Sequence, residues 1–413
     1  AAPAAASAVE CVGAPAVSYR EPAATAPSGA RAPRAGGAAA RAARANKMKM
    51  IDEDEAEAIR RGAMAKNSPK KEAKKKAAKG DAPTPAAVDP FEGALELDKG
   101  GDAASYYQDR RRKWRYRTDA KGYDLLKAMI AEASPLLAGA IASLREQEGG
   151  ADVLAEGERI YAQKPNLGAN GVTWSQANYG HLGLQVEYLR LKSIQRFTEG
   201  WAAMQRMHNA GGFAALAPPD ADAPPLRVAS LGGGPGFELV ATRAFLKEAY
   251  PARKHELISL DLAPSWRPCA EHLGLRFAEW DVNDGAGLLG ACGWERIDLA
   301  LISYVFYHYM STDRCYEWLS HALTSGRIGA VLIISRFDNL RSQIHGLQSR
   351  GVRATTLMRQ PRYSPRPSDH RQLLLTSAAD PAPTPLASRL SMTFPNVPHE
   401  DEKDPRDRSY GPA

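Results

Sequence analysis

Leu226 to Glu238 reads LRVASLGGGPGFE. The apolar run Leu226–Leu231 ends in Gly232, Gly233, Gly234 and Gly236. A helical spacing of Phe237, Leu239, Val240, Ala244, Phe245 and Leu246 follows at once. That is a strand, a tight glycine turn and a helix. Glycine suits such a corner because the backbone can reverse and a ligand can approach where no Cβ stands. The opening turn of the helix adds free N–H groups and the positive end of its dipole.

A dinucleotide fold places G-x-G-x-x-G, or a final Ala, at this corner. Counted from Gly232 and Gly234 the last position is Phe237, and counted from Gly234 and Gly236 it is Leu239. Both are bulky where helix and strand should pack closely, which disfavours a nicotinamide-dependent oxidoreductase. The alternating Gly232, Gly234 and Gly236 followed by Glu238 resemble motif I of the class I S-adenosylmethionine (SAM) methyltransferases. In that family the motif binds the amino-acid end of the cofactor. The plain alternative is a glycine-rich loop without a ligand.

The sequence beyond the corner alternates strand and helix, the pattern of a parallel sheet covered on both faces. Strands are expected at 226–231, 256–260, 275–280, 297–303 and 328–335, then at 352–358 and 371–377 across a Pro-rich loop. This matches the seven-stranded, Rossmann-like α/β sheet of the resembled family, including its terminal hairpin, over 226–378. Upstream, residues 119–217 are expected to form an α-helical cap. It comprises a helix around Tyr123–Ile130, a second at Leu136–Leu144, and a long amphipathic helix from about Leu184. The apolar stripe of that long helix is Val186, Leu189, Ile194, Phe197, Trp201, Met204 and Met207. Pro218–Pro225 reads as a stiff linker, and 379–413 as a disordered tail.

Ligands of open parallel sheets lie beyond the carboxyl ends of the strands. Asp261 ends the second strand, 29 residues after Gly232, against about 20 for the ribose-binding acid of dinucleotide folds. The long intervening helix absorbs the difference. The resemblance implies that Asp261 accepts the ribose hydroxyls and that Asp281 binds the adenine amine, with Trp280 and Val282 as apolar walls. Taken alone, each acid reads more readily as a strand-end turn or a helix cap. The segment after the fourth strand, Ser303-Tyr304-Val305-Phe306-Tyr307-His308-Tyr309, would face the transferred methyl group. It lacks the Asn/Asp-Pro-Pro-aromatic sequence of exocyclic-amine methyltransferases and the Pro-Cys of cytosine-C5 enzymes. Ser303 is assigned to the cofactor, and Tyr304, Tyr307 and His308 are the catalytic candidates, His308 as a proton acceptor. A buried aromatic cluster is the other reading. Asn178, Tyr179 and His181 would line the mouth of the site or form a polar turn that opens the long helix.

The formal net charge is +7. Residues 1–118 hold 23 Lys and Arg against 15 Asp and Glu, so the basic character lies in this arm. The arm is expected to be disordered and of low complexity. Its Arg-rich, acid-poor start fits an organelle transit peptide, and the cluster Lys70–Lys79 fits a nuclear localisation signal, so the expected compartment is one of those two. Arg110, Arg111, Arg112, Lys113, Arg115 and Arg117 enclose Trp114 and Tyr116. Cations that bind phosphate and rings that stack on bases point to RNA or an RNP as partner. The alternative is that the two rings pin the arm to the body. Cys11, Cys269, Cys292 and Cys315 have neither C-x-x-C nor zinc spacing, so no disulfide framework and no metal site is expected. No apolar run approaches ~18 residues, and no membrane span is expected. The function expected is methyl transfer from SAM to an unidentified acceptor. A catalytically inactive Rossmann-like binding module is the alternative, as is a small-molecule or protein acceptor.

Overall fold

The computed structural model describes Phe91 and residues 95–97, 105–109, 114–163, 176–214, 216, 223–335, 339–358 and 369–395. The arm expectations for 1–90 and 110–113 lie outside the described residues, as do those for most of the 218–225 linker and the 359–368 loop.

Order begins earlier than the sequence suggests. Strands β1 (Leu95–Leu97), β2 (Ser105–Asp109) and β3 (Trp114–Thr118) form an antiparallel sheet in the order β1-β2-β3. Trp114 pairs with Asp109 and Thr118 with Ser105. The expectation of disorder through residue 118 is therefore corrected. Alternating Trp, Tyr and Thr at 114–118 suit a strand once a partner is present, and the surrounding cations masked that signal in the sequence.

Helix α1 (Ala120–Glu146) is one helix of 27 residues where two were expected. Asp119 caps it by accepting the Gly122 N–H at 2.7 Å. Pro135 lies inside it. Proline removes one helical hydrogen bond, but the buried stripe Leu126, Met129, Ala133, Leu137 and Leu144 runs on through it. By length and composition α1 is also apolar enough to cross a membrane, which the run-length expectation did not register. Its buried stripe joins the core of the fold.

Helix α2 (Gly150–Gln163) and the short α3 (Gln176–Tyr179) lead to α4 (Leu182–Asn209). The expected α4 stripe is buried throughout. His181 caps α4 through Nδ1, which accepts the Leu184 N–H at 3.3 Å.

The main domain follows as β4 (Leu226–Leu231), α5 (Phe237–Ala249), β5 (His255–Asp261), a 3₁₀ turn at Pro264–Trp266, α6 (Arg267–His272) and β6 (Arg276–Glu279). Then come α7 (Leu288–Cys292), β7 (Ile297–Ser303), α8 (Phe306–Tyr309), α9 (Asp313–Thr324) and β8 (Ile328–Ile334). Helix α10 (Arg341–Gln348), β9 (Val352–Thr356) and β10 (Gln372–Ser377) complete it. The seven strands run β6-β5-β4-β7-β8-β10-β9. All neighbouring pairs are parallel except those of β10, which is antiparallel to β8 and β9.

Side-chain alternation divides the core into two layers. Leu226, Val228, Leu299, Leu301 and Leu332 join α1, α4, α5 and α6 on one face. Ala229, Leu231, Ala300, Ile302 and Val331 join α7, α8, α9 and α10 on the other.

The expected disordered tail is corrected over 379–395. Phe394 is fully buried, Thr118 Oγ1 donates to Thr393 O at 2.8 Å, and Thr393 N donates to Gln205 Oε1 at 2.9 Å. Asn209 accepts the Leu390 N–H at 2.8 Å. Here the chain straps back over α4. Its prolines and charges hid one buried aromatic and a set of backbone hydrogen bonds that show no sequence period.

Candidate functional site

Strand order reverses direction at β4, whose next strand in sequence, β5, lies on one side while β7 lies on the other. This leaves a crevice at the carboxyl ends of β4 and β7. Gly232 follows β4 with φ 72°, and a Cβ there would stand 2.6 Å from Val305 Cγ2, so the loops after β4 and β7 meet across the crevice. Gly236, at φ 84°, begins α5; a Cβ there would come within 2.5 Å of Leu275. No side-chain-bearing residue fits either position without movement. Gly232 N and Gly233 N both donate to Leu260 O, at 2.8 and 3.0 Å, which ties the corner to the end of β5.

Asp261 completes that tie. Its Oδ2 accepts the Gly234 N–H at 2.9 Å and its Oδ1 accepts the Ala263 N–H at 2.9 Å. Burial pushes its carboxyl up, and these backbone bonds oppose the shift. Glu238 points inward: Ser230 Oγ donates to its Oε1 at 2.5 Å, and burial raises its carboxyl as well.

Asp281 lies beyond β6 in a side-chain turn, its Oδ1 accepting both the N–H and the Nδ2 of Asn283 at 2.9 Å. Trp280 is buried, donates Nε1 to Asp284 O at 2.8 Å and stands edge-on to Trp318. Val282 is partly buried, and its carbonyl accepts Trp318 Nε1 at 3.1 Å.

Ser303, the last residue of β7, is buried, and Tyr304 after it takes φ 66°, the left-handed region, with its N–H donating to Ile334 O at 2.8 Å. A bulky residue held there costs on the order of 1–3 kcal/mol, and such strain gathers at functional sites. The Tyr304 hydroxyl donates to Glu199 Oε1 at 2.7 Å and accepts Gln195 Nε2 at 2.6 Å. Tyr307 and His308 are partly exposed on α8, with ring centroids 5.1 Å apart. Tyr179 donates its hydroxyl to Tyr309, so α3 closes against α8; burial foremost holds the Tyr179 phenol well above its usual range. Asn178 accepts the His181 N–H at its carbonyl, at 3.0 Å.

The sequence reading missed a second stripe on α4: Gln185, Tyr188, Lys192, Gln195, Arg196 and Glu199. Gln185 Nε2 donates to Ser265 Oγ at 2.6 Å, and Tyr188 packs on Trp266 with centroids 5.5 Å apart. Arg196 Nε donates to Tyr188 Oη at 3.1 Å, and its guanidinium lies 3.4 Å from the Tyr304 ring centroid. The i, i+3, i+7 spacing of these residues was visible, but polar residues at that spacing ordinarily mark a solvated face. The three described cysteines are buried and free. Burial pushes the Cys269 thiol up to about 11 and the Cys292 thiol up to about 12, so neither is a ready nucleophile.

The glycine corner, the two acid-bearing strand ends and the terminal antiparallel hairpin now stand in a single sheet. The seven-stranded, Rossmann-like α/β sheet expected from the sequence is the one observed. No family model and no curated protein matches the chain. Among solved structures it is similar to an O-methyltransferase family protein from Burkholderia thailandensis, at 16% identity and TM-score 0.34, over 55% of this chain and 72% of that one. It is also similar to a SAM-dependent methyltransferase from Thermotoga maritima, described as a possible histamine N-methyltransferase, at 10% identity and TM-score 0.28, over 46% and 94%. A third is the plantazolicin methyltransferase BpumL in complex with SAH, at 15% identity and TM-score 0.24, over 51% and 66%. The assignment of fold rests on the sheet itself.

Proposed function

We propose that this protein binds SAM across the carboxyl ends of β4, β5 and β7 and transfers its methyl group to an acceptor at the mouth formed by α3, α4 and α8. The observation that carries this reading is the glycine corner held to Asp261 by the 2.9 Å Gly234 N–H bond. It leaves backbone with no Cβ beside a carboxylate at a strand end. The residues fit the cofactor. Gly232–Gly236 offer close backbone approach, Asp261 retains lone pairs for hydroxyl donors, and a buried cation stands nearby on α4.

When bound, SAM supplies a methyl group already activated by its sulfonium. The protein's part is to orient the acceptor and exclude water. We assign Tyr307 and His308, partly exposed on α8, to meet the acceptor. The test is calorimetry of the full chain with SAM and with S-adenosylhomocysteine (SAH). Micromolar binding, about −8 kcal/mol, is expected for both, with loss of both in Gly234→Arg. Absence of binding in the wild type leaves a Rossmann-like scaffold without this cofactor.

We take the acceptor to be RNA or an RNP, on the support of the six cations interleaved with Trp114 and Tyr116. Since Trp114–Thr118 is a strand, the test replaces Arg110, Arg111 and Arg112 by Glu and does not delete the arm. Weaker RNA binding with a shallower salt dependence is expected. An unchanged salt slope points to a small-molecule or protein acceptor.

A further inference from the structure

Arg196 is a buried cation at the ligand end of the sheet. Its relative exposure is 8%. Nε donates to Tyr188, and Nη1 reaches Ser303 Oγ at a long 3.5 Å. A guanidinium has five N–H donors, and among the described residues Nη2 makes no hydrogen bond. The aromatic face of Tyr304 supports the cation from one side. The strained backbone at Tyr304 and the bonds from its hydroxyl to Gln195 and Glu199 hold that face in position.

A buried charge needs a counter-charge. The carboxylate in range is Glu199, at 3.8 Å, and burial pushes it up to about 7. Near neutral pH it therefore carries only part of a negative charge. Burial also raises the carboxyls of Glu238 and Asp261 around the same crevice. Lys192 and Arg371 act on Glu199 as well, so the crevice holds cations and carboxyls together. It suits a zwitterion, in which a carboxylate meets the cation and an ammonium meets the acids.

We propose that Arg196 is the anion anchor of this site and takes the carboxylate of an α-amino-acid head group on the ligand. The inference rests on the SAM reading above, in which that head group is the methionine end of the cofactor. It assigns Tyr304 to positioning: its hydroxyl is engaged with Gln195 and Glu199, and its ring carries the guanidinium.

The experiment is calorimetry on the full chain with SAH and with 5′-methylthioadenosine, which keeps the nucleoside and lacks the amino acid. In Arg196→Gln, SAH affinity is expected to fall about 10- to 100-fold, the range of a lost charge-assisted pair, with 5′-methylthioadenosine affinity unchanged. Arg196→Lys should recover part of the loss, because the charge returns without the planar fork. Equal losses for both ligands, or none for SAH, overturn the assignment. Should Arg196→Gln not fold, the wild type is compared with SAH and its carboxamide; equal affinities then overturn it. If the wild type binds neither SAH nor 5′-methylthioadenosine, the SAM reading falls and the anchor falls with it. Tight SAH binding indifferent to Arg196 removes the anchor alone.

Discussion

Glu199 makes the interior of the site sensitive to pH. Burial raises its carboxyl from 4.5 to about 7, against the opposing pull of Arg196. A carboxyl raised in the folded state binds its proton more tightly there than in the unfolded chain. Its stabilising contribution is therefore full below about pH 4.5 and is lost as pH rises through about 7. The amount is on the order of 3 kcal/mol. Glu199→Gln keeps an oxygen for Tyr304 and Gln195, so the urea midpoint should change less between pH 5 and pH 8 than in the wild type. An equal change in both proteins would place the titration elsewhere. Asp261 tests the neighbouring corner. Asp261→Ala leaves two N–H groups, of Gly234 and Ala263, without their partner. It should cost about 1–3 kcal/mol in denaturation and weaken SAH more than 10-fold, about 1.4 kcal/mol; SAH binding at wild-type strength would remove Asp261 from the ligand. Asp261 was legible in the sequence because its place at a strand end follows from chain pattern. Arg196 and Glu199 were not, because a polar stripe gains meaning only when a second surface covers it.

Among the elements, α4 depends on a close crossing with α2. A Cβ on Gly157 would stand 2.0 Å from the Gly183 backbone, and one on Gly183 would stand 2.0 Å from Val153 O. Two glycines therefore set how nearly the helices approach, and with them the seating of Tyr188 and Arg196. Gly183→Leu should destabilise by about 1–3 kcal/mol through overpacking, read as a lower urea midpoint. An unchanged midpoint would show that α2 can move away freely. Helix existence was legible from the apolar spacing of α4, and the strands from their short apolar runs between turn residues. The union of two expected helices into α1 was not, since Pro135 reads as a stop unless tertiary burial continues on both sides of it. The strap from 379 to 395 was illegible for a related reason: it is held by backbone groups and Phe394, with no period to read.

At the scale of the molecule, one helix joins the cap to the sheet. The α4 residues Phe197, Trp201, Met204 and Met207 share a core with Leu226, Val228, Leu299 and Leu332. Gly200 brings α4 to the first turn of α5, where a Cβ would lie 3.1 Å from Glu238 Cα. The strap then binds the outer end of α4 at Gln205 and Asn209. The linker prolines and the separate sequence patterns suggested two parts, a cap and a catalytic sheet. The packing of the α4 stripe on the sheet was nonetheless legible, and it is observed; a linear pattern marks which residues are buried and leaves out which strand residues they meet. If the two parts form one cooperative unit, the amides of α4 exchange hydrogen at the same free energy as those of β4 and β7. Native-state exchange in low urea measures this directly. Matching isotherms are expected for Phe197–Met207 and for the central strands. Earlier opening of α4 would mean that the cap detaches while the sheet stays folded, exposing the face of Leu299 and Leu332 and carrying Arg196 away from Ser303. In the proposed SAM site, a cooperative α4 would leave access to the mouth at α3 and α8, whereas a detaching one would make the helix itself the gate.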